Sequence, residues 1–207
     1  RETDTLPEAR RNDAGTADHA VALLTELDGA TPFFLWVHFF GLHAPNTEHP
    51  DVPTYGETLE DGYDHEVRFV DAQLGRVFEA LGRHSAAART AVIVTSDHGE
   101  VFADTWRHHG FDLTEEDLRV PLILKVPGWT PRREARQASL VDLVPTVLSL
   151  TGTPGPPYLD GVDLGRWEGD AALDTDRVIF ADMWKFHRSG AQTLDLVAAI
   201  TPGQKVV

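Results

Sequence analysis

Apolar positions recur along this chain in two rhythms. Over residues 16–28, Val21, Leu24 and Leu27 fall at helical spacing and Gly29 stands where a helix would stop, so an amphipathic helix is expected. Directly after Pro32 comes an unbroken apolar run, FFLWVHFF at 33–40, too short for a buried helix and rich in aromatic residues. Such a run predicts a strand covered on both faces, as at the centre of a parallel sheet. Residues 41–62 keep no period and are dense in His, Pro, Asp, Thr and Gly, which predicts a long loop, the kind of segment that often carries function. From 63 to 83, Val67, Val70, Leu74, Val77, Phe78 and Leu81 mark one face of a second helix. AVIVTS at 91–96 reads as a second buried strand, and a short acidic helical turn leads to a third at 120–126. Asp142 then precedes LVPTVLSLTG, with Pro145 in the first turn of a helix and Gly152 at its end.

This alternation predicts an α/β fold, a mostly parallel sheet flanked by helices. Past Pro156, turns rich in Gly, Pro and Asp take over, and the apolar runs at 177–182 and 194–200 predict a small C-terminal hairpin or edge strands. The expected division is therefore a main domain at 1–155 and a turn-rich extension at 156–207.

Composition narrows the class of partner. With 207 residues, 42% of them hydrophobic, the chain is long enough to bury a core. Its 33 acidic against 18 basic residues give a formal charge of -15, which repels phosphate backbones and anionic membrane surfaces and argues against nucleic acid as a partner. An anionic small molecule would need a local cation or metal to overcome that field, and ten His residues are available to build one. The absence of Cys excludes disulfides and thiolate metal sites. No apolar run approaches the roughly 18 residues of a membrane span, and the stretch RETDTLPEARRNDAG has no apolar signal-peptide core.

Asp97 and His98 stand where the second strand hands over to a loop, the usual place for ligands in an open α/β sheet. A carboxylate beside an imidazole is a common pairing for a divalent ion, with Gly99 permitting a sharp exit. Alone, the triplet also reads as a loop turn with an incidental His. Two more His groups sit at the same expected sheet edge, however: His38-x4-His43-Ala-Pro and His108-His109-Gly. His19, His49, His65, His84 and His187 lack that placement and read as surface residues. His38 reads as a hydrogen-bonded core histidine, Asp71 as structural, Asp142 as a helix N-cap, and Glu100 as a supporting or surface charge.

The blocks PFFLWVHFFGLHAP (32–45), VRFVDAQLGRVFEAL (67–81), VIVTSDHGE (92–100), HG (109–110), LRVPLILKVPG (118–128), SLVDLVPTVLSLTG (139–152) and DGVDL (160–164), in this order and spacing, resemble the sulfatase family of the alkaline-phosphatase superfamily. The resemblance implies an alkaline-phosphatase-like fold and the metal-dependent hydrolysis of sulfuric esters. It places Asp97 at a metal ligand and His98 where many members carry Asn and others His; an imidazole there favours Mn or Zn over Ca. His43 takes the His-x-Pro place of the histidine that contacts the sulfate or protonates the leaving group. His109 takes that of a Lys or His binding the ester's anionic oxygens, with His108 less well placed.

The family's nucleophile resembles a formylglycine made from Cys or Ser in C/S-x-P-S-R, a motif this sequence lacks, and two further carboxylate ligands come from an upstream strand. The resemblance therefore implies the C-terminal part of a catalytic domain without its nucleophile half, expected to bind metal poorly and to be inactive alone. The implied substrate is a small-molecule, carbohydrate or lipid sulfate ester. Alternatives are a phosphodiester or phosphonate ester hydrolase, a phosphoethanolamine transferase, or an inert binding module. Exported members of the family suggest a periplasmic or extracellular location; nothing in the sequence indicates an oligomeric state.

Overall fold

The computed structural model describes residues 12–103, 106–170, 173–186 and 192–207, and these divide into two units, 1–91 with 102–107, and 92–101 with 108–207. His187, expected at the surface, lies outside the described residues.

In the first unit, α1 spans Asp13–Glu26 and opens on Asn12, whose side chain accepts from Gly15 N. It begins three residues before the apolar rhythm does because that cap, rather than the rhythm, sets the boundary. The helix α2 spans Leu59–Arg83 and opens on a reciprocal cap in which Thr58 and Asp61 each bond the other's backbone. That motif places its start four residues ahead of the expected 63. Ala17, Ala20 and Leu24 of α1 and Val77 of α2 form the buried cluster between them.

The run 33–40 departs from its prediction. Phe33, Leu35, Val37 and Phe39 pack on this cluster, whereas Phe34 is 72% and Trp36 77% exposed. The segment is extended but pairs with no strand among the described residues, and alternation leaves it covered on one face only. His38, expected as a core histidine, is on the exposed side. The apolar face of α2 is also shifted from the expected one: Val67 and Phe78 are exposed, while Glu66 and Gln73 are buried beside Val77. Asp71 is exposed, on the polar side.

In the second unit, β1 (Val92–Thr95) pairs with β4 (Leu122–Lys125), and the pairing is antiparallel, Val92 opposite Lys125 and Thr95 opposite Leu122. β2 (Val101–Ala103) and β3 (Trp106–His108) form a separate two-stranded ribbon, whose residues 102–107 belong to the first unit. Between the ribbon and β4, α3 (Glu115–Leu118) opens on Thr114. A 3-10 turn, Leu140–Asp142, runs into α4 (Leu143–Thr151), which carries Pro145 in its first turn and ends at Gly152 with φ 64°.

The C-terminal residues form a three-stranded antiparallel sheet of β5 (Ile179–Phe186), β6 (Gln192–Thr201) and β7 (Gln204–Val206). Its core is Met183 and Ala198, packed with Leu113. The expected hairpin is thus present, with a third strand added. A mostly parallel sheet is not: every pairing whose register is defined among the described residues is antiparallel. Helix-length connections were the basis for expecting parallel strands, but the link from β1 to β4 is filled instead by a ribbon and a four-residue helix.

Asp142 stands at the N-cap position of α4, as expected, but its side chain makes no capping bond to that helix. It is fully buried, and its carboxylate accepts from Ser139 N (2.7 Å), Val162 N (2.8 Å) and both terminal nitrogens of Arg177 (2.7 and 2.8 Å). No helix of the described residues is long and apolar enough to cross a membrane.

Candidate active site

The loop leaving β1 is held by backbone and hydroxyl bonds. Ser96 Oγ donates to the carbonyl of His98 at 2.7 Å, and Gly99 N donates to the carbonyl of Asp117 at 2.7 Å. A Cβ at residue 99 would overlap the Glu116 carbonyl oxygen, so the glycine is required for a close backbone approach. It is not required for a left-handed turn, since its φ is not positive. In this way α3 presses the Asp97–His98–Gly99 exit against the end of β1.

Two metal-type donors result. His98 Nδ1 lies 2.7 Å from the carbonyl of Gly99, and because a carbonyl can only accept, Nδ1 carries the proton in the neutral ring and Nε2 the lone pair. That Nε2 stands 3.8 Å from Asp97 Oδ1, a separation that an ion about 2.1–2.4 Å from each could bridge. The Nδ1 bond to a carbonyl is also the usual device that orients a ligating histidine. The donor chemistry of Asp97 and His98 therefore fits a divalent ion, and both side chains are open to solvent, 71% and 40% exposed. No set of three His, Asp or Glu among the described residues converges as a metal site.

His109 is brought to the same place. Its ring stacks on His98, centroids 3.9 Å apart, and its Nδ1 donates to Glu100 Oε1 at 3.2 Å. The Glu100 side chain is only 6% exposed, so this carboxylate is a buried anchor for His109 and not a surface charge. Of the two readings the sequence allowed for Glu100, a supporting or a surface charge, its burial fits the first. Gly110, at φ 73°, turns the chain immediately after His109.

His43 belongs to the first unit. Its ring stacks on Phe40 with centroids 4.8 Å apart and planes 16° from parallel, and its Nδ1–H donates to the carbonyl of Ala44 at 2.7 Å. The Ala44–Pro45 bond is cis.

Three histidines expected at the surface are instead engaged in the first unit. His49 Nε2 donates to buried Glu66 at 2.9 Å, His65 Nε2 accepts from His49 N at 3.0 Å, and His84 Nε2 donates to the carbonyl of Leu27 at 3.1 Å. Only the polarity of loop and helix-end histidines had been visible, and it carries no information on a partner distant in sequence.

With this geometry described, comparison with known proteins identifies the class. The Sulfatase family profile matches residues 1–153, and the chain belongs to the sulfatase family. Arylsulfatase K of Mus musculus is 33% identical over 119 residues, 57% of this chain and 20% of that protein. The crystal structure of Ps i-CgsB in complex with k-i-k-neocarrahexaose is similar with a TM-score of 0.74 at 21% identity, over 93% of this chain and 45% of that one. A phosphonate monoester hydrolase from Silicibacter pomeroyi superposes with a TM-score of 0.54 at 21% identity, over 95% of this chain and 39% of that one. The chain thus has the fold of these proteins and spans about a fifth of the length of its arylsulfatase relative.

Proposed function

We propose that this chain contributes the metal-binding and anion-binding edge of a hydrolase of sulfuric esters. The observation that carries the reading is the convergence of Asp97, His98 and Glu100-anchored His109 at the end of β1, in a chain of the sulfatase family. A divalent ion held by Asp97 Oδ1 and His98 Nε2 would supply positive charge to an ester oxygen and to a nucleophile. His109, fixed by Glu100, presents its ring edge to the ester's anionic oxygens. His43 serves the leaving group, its ring set by Phe40. These 207 residues contain neither Cys nor a C/S-x-P-S-R motif and so do not themselves supply the formylglycine that the family implies. The same reading carries a parallel sheet, in which the exposed Phe34 and Trp36 of the extended run 33–40 would be covered.

A carbohydrate sulfate is the favoured substrate class, because the structural neighbour i-CgsB binds a saccharide. A second reading, phosphonate or phosphodiester hydrolysis, is favoured by the likeness to the Silicibacter pomeroyi enzyme and by the imidazole at position 98.

The test is turnover of p-nitrophenyl sulfate and of bis-p-nitrophenyl phosphate by the protein that contains this chain, with bound metal quantified. Sulfate turnover that falls at least about a hundredfold in Asp97→Ala, together with metal, is expected. Preference for the phosphate diester moves the reading to the second class, and absence of both turnover and metal overturns it.

A further inference from the structure

The loop that carries His43 is fastened at both ends by carboxylates that have almost no contact with water. At its start, Asp13 of α1 accepts from Phe40 N at 2.9 Å through Oδ1 and from Gly41 N at 2.8 Å through Oδ2. At its end, Glu66 of α2 accepts from Thr47 N through Oε1 and from His49 Nε2 at 2.9 Å through Oε2. Asp13 is 2% and Glu66 1% exposed. Between the anchors, His43 N donates to the carbonyl of Phe40 at 3.1 Å and the His43 ring rests on the Phe40 ring. A Cβ at residue 41 would overlap Asp13 Oδ2, so a side chain there would have to push this carboxylate off its two amide bonds.

Burying two acids beside each other is unfavourable, and burial followed by the neighbouring Glu66 holds the Asp13 carboxyl above its ordinary range against the two amide bonds that lower it. Helix packing alone does not call for this, since Ala17, Ala20, Leu24 and Val77 already join α1 to α2. What the carboxylates hold is the backbone on either side of His43.

From this arrangement we infer that Asp13 and Glu66 are positioning residues that fix the His43 loop for the ester-cleaving step, an inference that rests on the role of His43 proposed above. Asp13 sets the Phe40 amide, Phe40 sets the plane of His43, and Glu66 closes the far end through Thr47 and His49. Neither carboxylate needs to touch substrate.

The experiment uses Asp13→Ala, Glu66→Ala, Glu66→Gln, Val77→Ala and His43→Ala in the protein that contains this chain. It reads the assigned His43 ring resonances by NMR, and kcat and KM on p-nitrophenyl sulfate. In both carboxylate-to-Ala variants the His43 resonances shift and kcat falls by about tenfold or more while KM stays within about twofold, as expected when a reacting group is misplaced by an ångström or less. Glu66→Gln keeps more kcat than Glu66→Ala because its side-chain oxygen still accepts from Thr47 N. Val77→Ala loosens the same helix pair away from the loop and leaves His43 resonances and kcat near wild type.

Unmoved His43 resonances in the Asp13 and Glu66 variants overturn the inference, and so does an equal loss of kcat in Val77→Ala. If His43→Ala retains full turnover, or the wild type has none, it is the functional reading of His43 that fails. The ring resonances still decide whether the two acids hold the loop.

Discussion

The imidazole of His98 lies over that of His109, centroids 3.9 Å apart and planes 27° from parallel. The stack couples the proposed metal donor to the histidine proposed to bind anionic oxygens, so a change at position 98 is felt twice. His98→Asn replaces the Nε2 donor by an amide oxygen and removes the stacked ring. Preference for Mn or Zn over Ca should fall, because calcium favours all-oxygen shells. Competition between these ions, followed by metal analysis of the variant in the protein that contains this chain, checks it. An unchanged metal preference would count against His98 as a ligand.

Gly99→Ala tests the loop without altering a donor. The added methyl meets the carbonyl oxygen of Glu116 and lies near that of Asp117, both backbone atoms that cannot swing aside as a side chain would. The loop must shift, at a cost of about 1–3 kcal/mol of the kind that overpacking produces. Stability and metal affinity should therefore fall together. A variant with wild-type melting temperature and metal content would show the approach to be looser than described.

Much of this molecule was legible in the sequence, and the parts that were not share a cause. Helices α2 and α4, strands β1 and β4 and the C-terminal hairpin follow from apolar period, cap and turn residues, all local signals. The Asp97–His98 and His109 positions followed from a family pattern of motifs. The sheet direction did not follow, because FFLWVHFF reads as a strand buried on both faces whether or not a neighbour is present. Glu66 had a signal that was passed over: it stands at the i, i+4, i+7, i+11 positions with Val70, Gln73 and Val77, so an acid was marked for the buried side of α2. Asp13 had none. Its partners, the amides of Phe40 and Gly41, are 27 and 28 residues away, and backbone donors leave no trace in sequence.

Acid should weaken the second unit through Glu134. The guanidinium of Arg136, bonded at 2.8 Å, holds this carboxyl down from the ordinary 4.5 to about 2, assisted by Arg132. A depressed carboxylate contributes stability that is present above 4.5 and lost as pH falls through about 2. Asp13 runs the other way: raised by burial, its contribution is fully present below 3.8 and declines as pH rises through the folded value. Melting temperature measured against pH should therefore drop below about pH 4.5 in the wild type, and Glu134→Gln should flatten that drop while leaving the slope at higher pH intact. High salt should shrink the effect, since the pair is partly open to solvent.

The ion pair of Asp142 and Arg177 should be worth more than any other among the described residues. Asp142 has no exposed surface, Arg177 is 14% exposed at its side chain, and the two meet through paired bonds of 2.7 and 2.8 Å. Two backbone amides, Ser139 and Val162, complete the four acceptor sites of the carboxylate. Removing the guanidinium leaves a buried charge supported only by amides, so Arg177→Ala should cost about 3–5 kcal/mol in denaturant unfolding. Asp142→Ala exposes the opposite problem, stranding the arginine and both amides. Once one partner is gone the other is a liability, so the double variant should lose less than the sum of the two single losses, and the difference in a double-mutant cycle measures the pair. A loss under about 1 kcal/mol for Arg177→Ala would class the bond with solvent-screened surface bridges and remove it as the tie between the start of α4, Val162 and the approach to β5.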